Sequence, residues 1–153
     1  MASVRLAIGT DHGGFDMKSG LIELCKKANF QVKDVGCFSD ASCDYPVYAE
    51  KVGKLVSSGR ADKGVLLCKS GAGMAIVANK FPGVRAAVCQ SIEQARHSRE
   101  HNDTNILVLG AESLMLAQAR AILKAWLTTN FSGGRHARRV KQIHRIEQKI
   151  LGK

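Results

Sequence analysis

The segment VLLCKSGAGM at residues 65–74 decides the fold that this sequence predicts. A short apolar run ends in small, flexible residues, and a helix-forming sequence begins at Met74. This order is typical of a buried parallel strand that feeds a helix through a tight turn. Such a turn presents backbone N–H groups to an anion, and a thiol placed there, at Cys68, is favoured as the thiolate. We therefore expect the protein's chemistry at this turn.

The same alternation of apolar run and helical segment continues along the whole chain, which predicts an α/β fold. The expected strands cover residues 4–9, 31–35, 64–68, 84–89 and 105–109, and the expected helices cover 15–28, 48–56, 74–79, 92–100 and 114–128. We predict one domain over residues 1–153, built as a single doubly wound, Rossmann-like sheet of five parallel strands with helices on both faces.

A further, extended helix is expected at the C-terminus, over about residues 132–151. Val140, Ile143, Ile146 and Ile150 recur there at intervals of three or four residues and form an apolar stripe. Because a five-stranded core already has its complement of helices, we expect this helix to pack on a second subunit in a homodimer.

Composition narrows the class of protein. The chain has 153 residues, enough for one core, and no apolar run approaches the roughly 20 residues that span a bilayer, so we expect no membrane insertion. Its five cysteines are odd in number and lack metal-binding spacing, so we expect neither disulfides nor a metal. No signal peptide precedes the first predicted strand, and we expect a reducing, cytoplasmic location.

The formal net charge is +10, and most of the excess lies at the C-terminus. From Arg135 onward the chain has seven basic residues and one acidic residue. Such a segment can bind nucleic acid, an anionic partner or a phosphate group. No aromatic residue follows Phe131, so the segment lacks stacking surfaces, and single-stranded nucleic acid is disfavoured as a partner. The absence of G-x-G-x-x-G and P-loop sequences disfavours dinucleotides and P-loop chemistry.

Polar residues and glycines follow three of the predicted strands. Asp11-His12-Gly13-Gly14 follows the first strand, the Cys68 turn follows the third, and Gly110-Ala111-Glu112 follows the fifth. Because ligands of doubly wound sheets bind at the carboxyl ends of the strands, we expect these turns to meet in one crevice.

Structural alternatives stand beside these assignments. Asp11 could simply cap the helix that follows it. Cys68 could be a buried core cysteine, which is what we expect of Cys25 and Cys89.

The remaining candidates also have two interpretations. His101 is either a structural residue at a helix C-terminus or an acid/base residue. Arg135 and Arg139 lie at the start of the last helix and are either solvated or bound to a phosphate. Because cations at a helix N-terminus oppose the helix dipole, the phosphate-binding interpretation is favoured. Asp44-Tyr45-Pro46 suits a turn before a helix, and Tyr45 could line the crevice. We expect Asp11, His101 and the two arginines to converge on the same strand ends.

The candidate residues belong to six segments that occur in a characteristic order. These are GTDHGGF at 9–15, DYP at 44–46, CKSGAG at 68–73, ANKFPGVRAA at 78–87, REHND at 99–103 and GGRHARR at 133–139. In this combination the chain resembles type B ribose-5-phosphate isomerase, within the family that also contains the galactose-6-phosphate isomerase subunits. The resemblance covers nearly the whole chain.

This resemblance implies an aldose–ketose isomerase that interconverts D-ribose 5-phosphate and D-ribulose 5-phosphate in the non-oxidative pentose phosphate pathway. The reaction would pass through a cis-enediolate, with no metal and no cofactor. The enzyme would be a homodimer whose active sites are shared between subunits.

The resemblance also implies roles at the reacting carbons. Cys68 would be the base, and Asp11 would move protons between the two sugar oxygens. Ser70, with the N–H groups around Gly71 to Gly73, would stabilise the enediolate oxygen, a task worth roughly 3 kcal/mol per donor.

Other residues would hold the rest of the sugar. His101 would open the furanose ring, and Asn102 would orient the hydroxyl groups. The phosphate would be held by His12, Arg135 and Arg139, because forked guanidinium groups suit phosphate. The residue expected to border the sugar is Tyr45.

Two positions depart from the pattern of the resemblance. Lys69 stands where the family usually has glycine, and Glu112 stands where many members have a phosphate-binding arginine. Our hypothesis is that Lys69 supplies the missing positive charge. The alternatives are a different, six-carbon phosphosugar substrate, or a catalytically altered relative that binds anions or nucleic acid. A redox-sensing thiol protein would rest on Cys68 alone.

Overall fold

The computed structural model describes residues 2–153, and its elements follow the alternation in the sequence. The strands are β1 (Arg5–Thr10), β2 (Gln31–Asp34), β3 (Lys63–Cys68), β4 (Ala86–Val88) and β5 (Ile106–Gly110). The helices are α1 (Phe15–Lys27), α2 (Tyr45–Ser57), α3 (Ala72–Ala78), α4 (Ile92–Asn102), α5 (Leu116–Thr128) and α6 (Arg135–Ile150). Single 3-10 turns, His12–Gly14 and Ala111–Ser113, follow β1 and β5.

The five strands form one parallel sheet in the order β2-β1-β3-β5-β4. Strand β3 lies between β1 and β5, so the turns after these three strands leave the sheet side by side. This confirms the doubly wound sheet. Strand β4 is shorter than predicted because the N–H of Arg85 donates to the side chain of Asn105 (2.8 Å) rather than to the ladder.

Alternate residues of each strand feed two core layers, since successive side chains point to opposite faces. Val65 and Leu67 of β3 pack in the layer that includes residues of α1, α4 and α5. Leu66 and Cys68 pack in the other layer, with residues of α2 and α3. The predicted helices on both faces are therefore confirmed, and the side chain of Cys68 is directed toward α3.

Three helices are longer than predicted, and their extensions carry candidate residues, including Gly73 in α3, which begins at Ala72. Helix α2 begins at Tyr45, three residues early, because Pro46 suits the first turn of a helix. Helix α4 continues to Asn102, so His101 and Asn102 lie on the helix rather than after it. The chain then turns at Asp103, which has a left-handed backbone (φ 46°).

Two cysteines are buried core residues, as predicted. Cys25 and Cys89 are at most 1% exposed. Burial raises the pKa of both thiols, to about 11 for Cys25. Because a protonated thiol is a poor nucleophile, neither of these two residues is suited to a chemical role.

Helix α6 packs against α4 but leaves its apolar stripe open. None of its residues is buried, and Ile143, Ile146 and Ile150 are 46%, 58% and 79% exposed. These side chains line a groove together with residues that flank β4. Within residues 2–153, the structure contains no helix that combines the length and apolar character needed to cross a membrane.

Candidate active site

Three turns at the carboxyl edge of the sheet are tied to one another by backbone hydrogen bonds. The N–H of Asp11 donates to the carbonyl of Leu67 (3.3 Å), which joins the turn after β1 to the end of β3. The N–H of Glu112 donates to the carbonyl of Lys69 (3.0 Å), which joins the turn after β5 to the Cys68 turn. The expected meeting of these turns is therefore confirmed.

Cys68 ends β3 with a buried side chain, 5% exposed, at the floor of these turns. The N–H of Gly71 donates to its Sγ at 3.1 Å. Gly71 has a left-handed backbone (φ 83°), which turns its N–H back toward the sulfur at little cost because glycine has no Cβ. An N–H donor at this distance stabilises negative charge on the sulfur.

The residues after Cys68 form the wall of the crevice. The exposed Ser70 accepts a hydrogen bond at Oγ from the N–H of Ala72 (3.3 Å). A Cβ added to Gly73 would lie 2.5 Å from ring carbons of Tyr45, so only glycine lets this ring pack against the turn. Tyr45, predicted to border the sugar, therefore contacts the first turn of α3.

Asp11 caps the turn after β1 and lies beside the Cys68 turn. Its Oδ1 accepts a hydrogen bond from the N–H of Gly13 (2.9 Å), so the expected cap exists. The residue is 7% exposed, and within residues 2–153 its Oδ2 has no hydrogen-bond partner. Gly13 in turn lies close to the backbone of Lys69, since an added Cβ would lie 3.2 Å from the Lys69 nitrogen. The free carboxylate oxygen is thus adjacent to the Cys68 turn.

His12 is exposed and is held by the main chain of Cys43. Its Nδ1 lies 3.1 Å from the nitrogen and 3.2 Å from the carbonyl oxygen of Cys43. Without a proton, Nδ1 accepts from the N–H, and in the other tautomer it donates to the carbonyl, so both ring tautomers have a partner. Nε2 remains the nitrogen available to a ligand.

His101, Asn102, Arg135 and Arg139 form a second group. Helix α4 starts beyond the carboxyl end of β4 and runs back, so its last residues lie at the amino edge of the sheet. There the carbonyl of Asn102 accepts from Nε of Arg85, which precedes β4 (3.1 Å). The prediction that all the candidates converge on the same strand ends is therefore wrong within one subunit.

The separation follows from the strand lengths. Residues Gly64 and Ile106 pair near one end of β3 and β5, and Cys68 and Gly110 pair at the other. Four residues of strand separate these pairs, about 13 Å at 3.3 Å per residue. One subunit thus holds Cys68 at one edge and His101 beyond the opposite edge.

Three imidazole rings form a stack in this second group. The ring centroids of His97 and His101 are 5.0 Å apart, and those of His101 and His136 are 4.3 Å apart, each pair tilted by 14°. Loss of hydration and the positive charges of His101, Arg135 and Arg139 lower the pKa of His136.

Lys69 and Glu112 lie side by side where the sequence departs from the pattern of its resemblance. Both side chains are exposed, and the backbone bond from Glu112 N–H to the Lys69 carbonyl keeps the two residues adjacent. A cation and a carboxylate therefore face solvent beside the Cys68 turn. Among residues 2–153, no three His, Cys, Asp or Glu side chains are grouped as a metal site.

Comparison with known proteins identifies the family of this chain. The model of a family described as ribose/galactose isomerase matches residues 6–143. The chain belongs to the ribose/galactose isomerase family. Ribose-5-phosphate isomerase B of Escherichia coli is 42% identical over 145 residues, which are 95% of this chain and 97% of that protein.

Solved structures agree with this membership. Ribose-5-phosphate isomerase B of Clostridium thermocellum is 46% identical, with a TM-score of 0.93 over 96% of this chain and 99% of its own. Ribose-5-phosphate isomerase B of Mycoplasma genitalium, solved with bound ribulose 5-phosphate, is 35% identical, with a TM-score of 0.92 over 97% of this chain and 99% of its own.

Three residues of this chain that sequence reasoning missed hold the candidate site residues or their turns in place. The main chain of Cys43 holds His12. Gln90 accepts from the N–H of Gly110 (3.1 Å) and so braces the turn after β5. The buried Arg99 donates to the carbonyl of Thr104 (2.6 Å) and fixes the end of α4. No local pattern predicts the contacts of Cys43 and Gln90, because they join residues 31 and 20 apart in the sequence, whereas Arg99 and Thr104 are only five apart.

Proposed function

We propose that this protein interconverts D-ribose 5-phosphate and D-ribulose 5-phosphate. The observation that carries the proposal is the buried Cys68, which receives a hydrogen bond from Gly71 (3.1 Å) and adjoins the turn that holds Asp11. A base, a carboxylate and backbone donors at one point are what an aldose–ketose isomerisation needs. The names of the E. coli and C. thermocellum relatives support the same substrate.

The reaction moves one proton between neighbouring carbons. The Cys68 thiolate removes the proton from C2 of the open-chain aldose, and the electron pair forms the C1–C2 double bond of a cis-enediolate. The thiol then returns the proton to C1, which leaves the carbonyl at C2. Asp11 moves the hydroxyl proton between O1 and O2, so the overall change is balanced without a redox partner.

Donors near the sulfur stabilise the charge that develops on oxygen. Ser70 is exposed beside Cys68, and Gly73 lies in the first turn of α3, where N–H groups have no partner within a helix. Removal of one such donor typically lowers the rate by about 100-fold to 1,000-fold. His12 is the phosphate ligand supplied from the same edge.

The remaining ligands come from a second copy of the chain. His101, Asn102, Arg135 and Arg139 lie too far from Cys68 to share its site within one subunit. A homodimer in which each subunit supplies one group would complete two sites. The exposed apolar stripe of α6 supports such an assembly, because it offers a surface to cover.

The test of the reaction is ketose formation from ribose 5-phosphate by the wild type, Cys68→Ala and Cys25→Ala. Cys25→Ala is the matched control, since this thiol is buried away from the turn. We expect turnover by the wild type and the control, and a loss of about 100-fold or more in Cys68→Ala. An equally active Cys68→Ala would remove Cys68 as the base, and an inactive wild type would refute the reaction.

The test of the shared site is complementation. Cys68→Ala and His101→Ala are each expected to be inactive. Mixed dimers, purified through two different tags, should regain about half of the wild-type activity, because one of their two sites has both groups. Mixed dimers without activity would refute the sharing.

A six-carbon phosphosugar is the second candidate substrate. Lys69 and Glu112, the two positions that depart from the pattern of the resemblance, lie next to each other beside the turn. Comparing kcat/KM for ribose 5-phosphate with that for six-carbon aldose 6-phosphates decides between the two.

A further inference from the structure

We propose that His97 is a positioning residue that holds the imidazole plane of His101. The inference rests on the proposed function, in which His101 opens the sugar ring. His97 and His101 are four residues apart on α4, so their side chains lie on the same face of the helix. The stack places the His97 ring on one face of His101 (5.0 Å) and the His136 ring on the other (4.3 Å).

Stacking is what fixes this ring within the subunit. In the described part of the chain, residues 2–153, neither ring nitrogen of His101 makes a hydrogen bond. The terminal torsion of a histidine side chain is intrinsically broad, so a ring without such bonds rotates unless its faces are packed. Two parallel rings block this rotation.

The stack leaves the chemistry of His101 free. Its two neighbours cover the ring faces, whereas both nitrogens lie at the ring edge, in the plane. A proton is transferred efficiently only when the nitrogen is within hydrogen-bond reach and correctly oriented. Holding the plane therefore helps ring opening without using either nitrogen.

The two outer rings have different surroundings. His136 lies beside Arg135, Arg139 and Glu100, which act on its charge. His97 is exposed on α4, and no ion pair or hydrogen bond joins its side chain to the rest of residues 2–153. Its stacking on His101 is thus a contact that substitution can remove without disturbing the fold.

The experiment compares His97→Ala, which removes the stack, with His97→Phe, which keeps an aromatic ring. Arg96→Ala, on the same turn of α4 and also exposed, is the control. We expect kcat for ribose 5-phosphate to fall about tenfold in the alanine variant with KM within about twofold, because loss of orientation lowers the rate by up to about 100-fold. The phenylalanine variant should keep kcat within about threefold of the wild type, with an unchanged pH profile.

Wild-type kcat in His97→Ala, or equal losses in the alanine and phenylalanine variants, would overturn the inference. Proton NMR of the histidine rings supplies a readout that does not depend on turnover. The ring C–H resonances of His101 should shift when alanine replaces His97 and return toward the wild-type position with phenylalanine. Unchanged His101 resonances in His97→Ala would also refute the inference. An inactive wild type that shows the expected shifts would refute only the proposed function.

Discussion

Lys63 carries a positive charge that the fold makes unfavourable. It begins β3 and is half-buried, with its Nζ 4.8 Å from the ring centroid of Trp126. Loss of hydration, followed by the positive charge of Arg99, lowers the pKa of Lys63 to about 8 from 10.5. Replacement of Lys63 by methionine, which has a similar length and no charge, should therefore stabilise the protein at neutral pH.

The magnitude follows from the difference between the two pKa values. Below pH 8 Lys63 is protonated in both the folded and the unfolded state, and the folded state bears the full free-energy cost of burying the charge. The shift of about 2.5 units gives an upper limit of about 3 kcal/mol at 1.36 kcal/mol per unit. Because the side chain is partly exposed, solvent screening reduces this to roughly 1–2 kcal/mol. Loss of the contact with Trp126 removes about 0.5 kcal/mol, so the net gain is about 1 kcal/mol.

The pKa shift of Lys63 also determines the direction in which stability changes with pH. Between pH 8 and 10.5 the unfolded chain binds more protons at Lys63 than the folded chain, so wild-type stability rises with pH across this window relative to the variant. Urea unfolding of wild type and Lys63→Met at five pH values from 6.5 to about 10.5, at one protein concentration, measures the difference. The advantage of the variant should shrink as the pH rises.

Lys33→Met is the matched control, because Lys33 is also on a strand but is exposed. We expect its stability to stay within about 0.5 kcal/mol of the wild type at every pH. A difference between wild type and Lys63→Met that is constant from pH 6.5 to 10.5, or a destabilised variant at pH 7, would refute the reasoning.

Three further outcomes are expected. Trp126→Phe removes the hydrogen bond from Nε1 to Thr104 Oγ1 (2.9 Å) and part of a buried ring, and should cost about 2–3 kcal/mol in urea unfolding; a loss below 1 kcal/mol would contradict this. Lys69→Gly should raise KM for ribose 5-phosphate about threefold if Lys69 attracts the phosphate, and an unchanged KM would show that it does not. Gly71→Ala places a Cβ in a left-handed backbone (φ 83°), which should cost about 1–2 kcal/mol and lower kcat by moving the N–H away from Cys68; wild-type kcat would argue against that hydrogen bond's importance.

Features that depend on local sequence were predictable. The strand and turn at Cys68 follow from an apolar run that ends in small residues, and α3 follows from the residues after it. The boundary at α2 was missed by three residues, although Asp44 and Pro46 marked it, because the apolar period begins only farther along the helix.

Features that join distant segments were not predictable from pattern alone. The main chain of Cys43 binds His12 across 31 residues, and no spacing rule relates the two. The ring of His136 reaches His101 only because α6 packs against α4. His97 and His101 are an exception, since their separation of four residues on one helix already implied that they are neighbours.

The sequence by itself determined the order of the elements, the parallel sheet and the chemical groups, because strand runs, helical periods and residue types are local properties. Only the tertiary structure decided which groups share an edge of the sheet. Helix α4 carries the chain from the carboxyl edge back to the amino edge, which separates His101 from Cys68 within one subunit. That separation is set by the length of β3 and β5 and by the direction in which α4 runs relative to the sheet, which exist only once the segments have packed together.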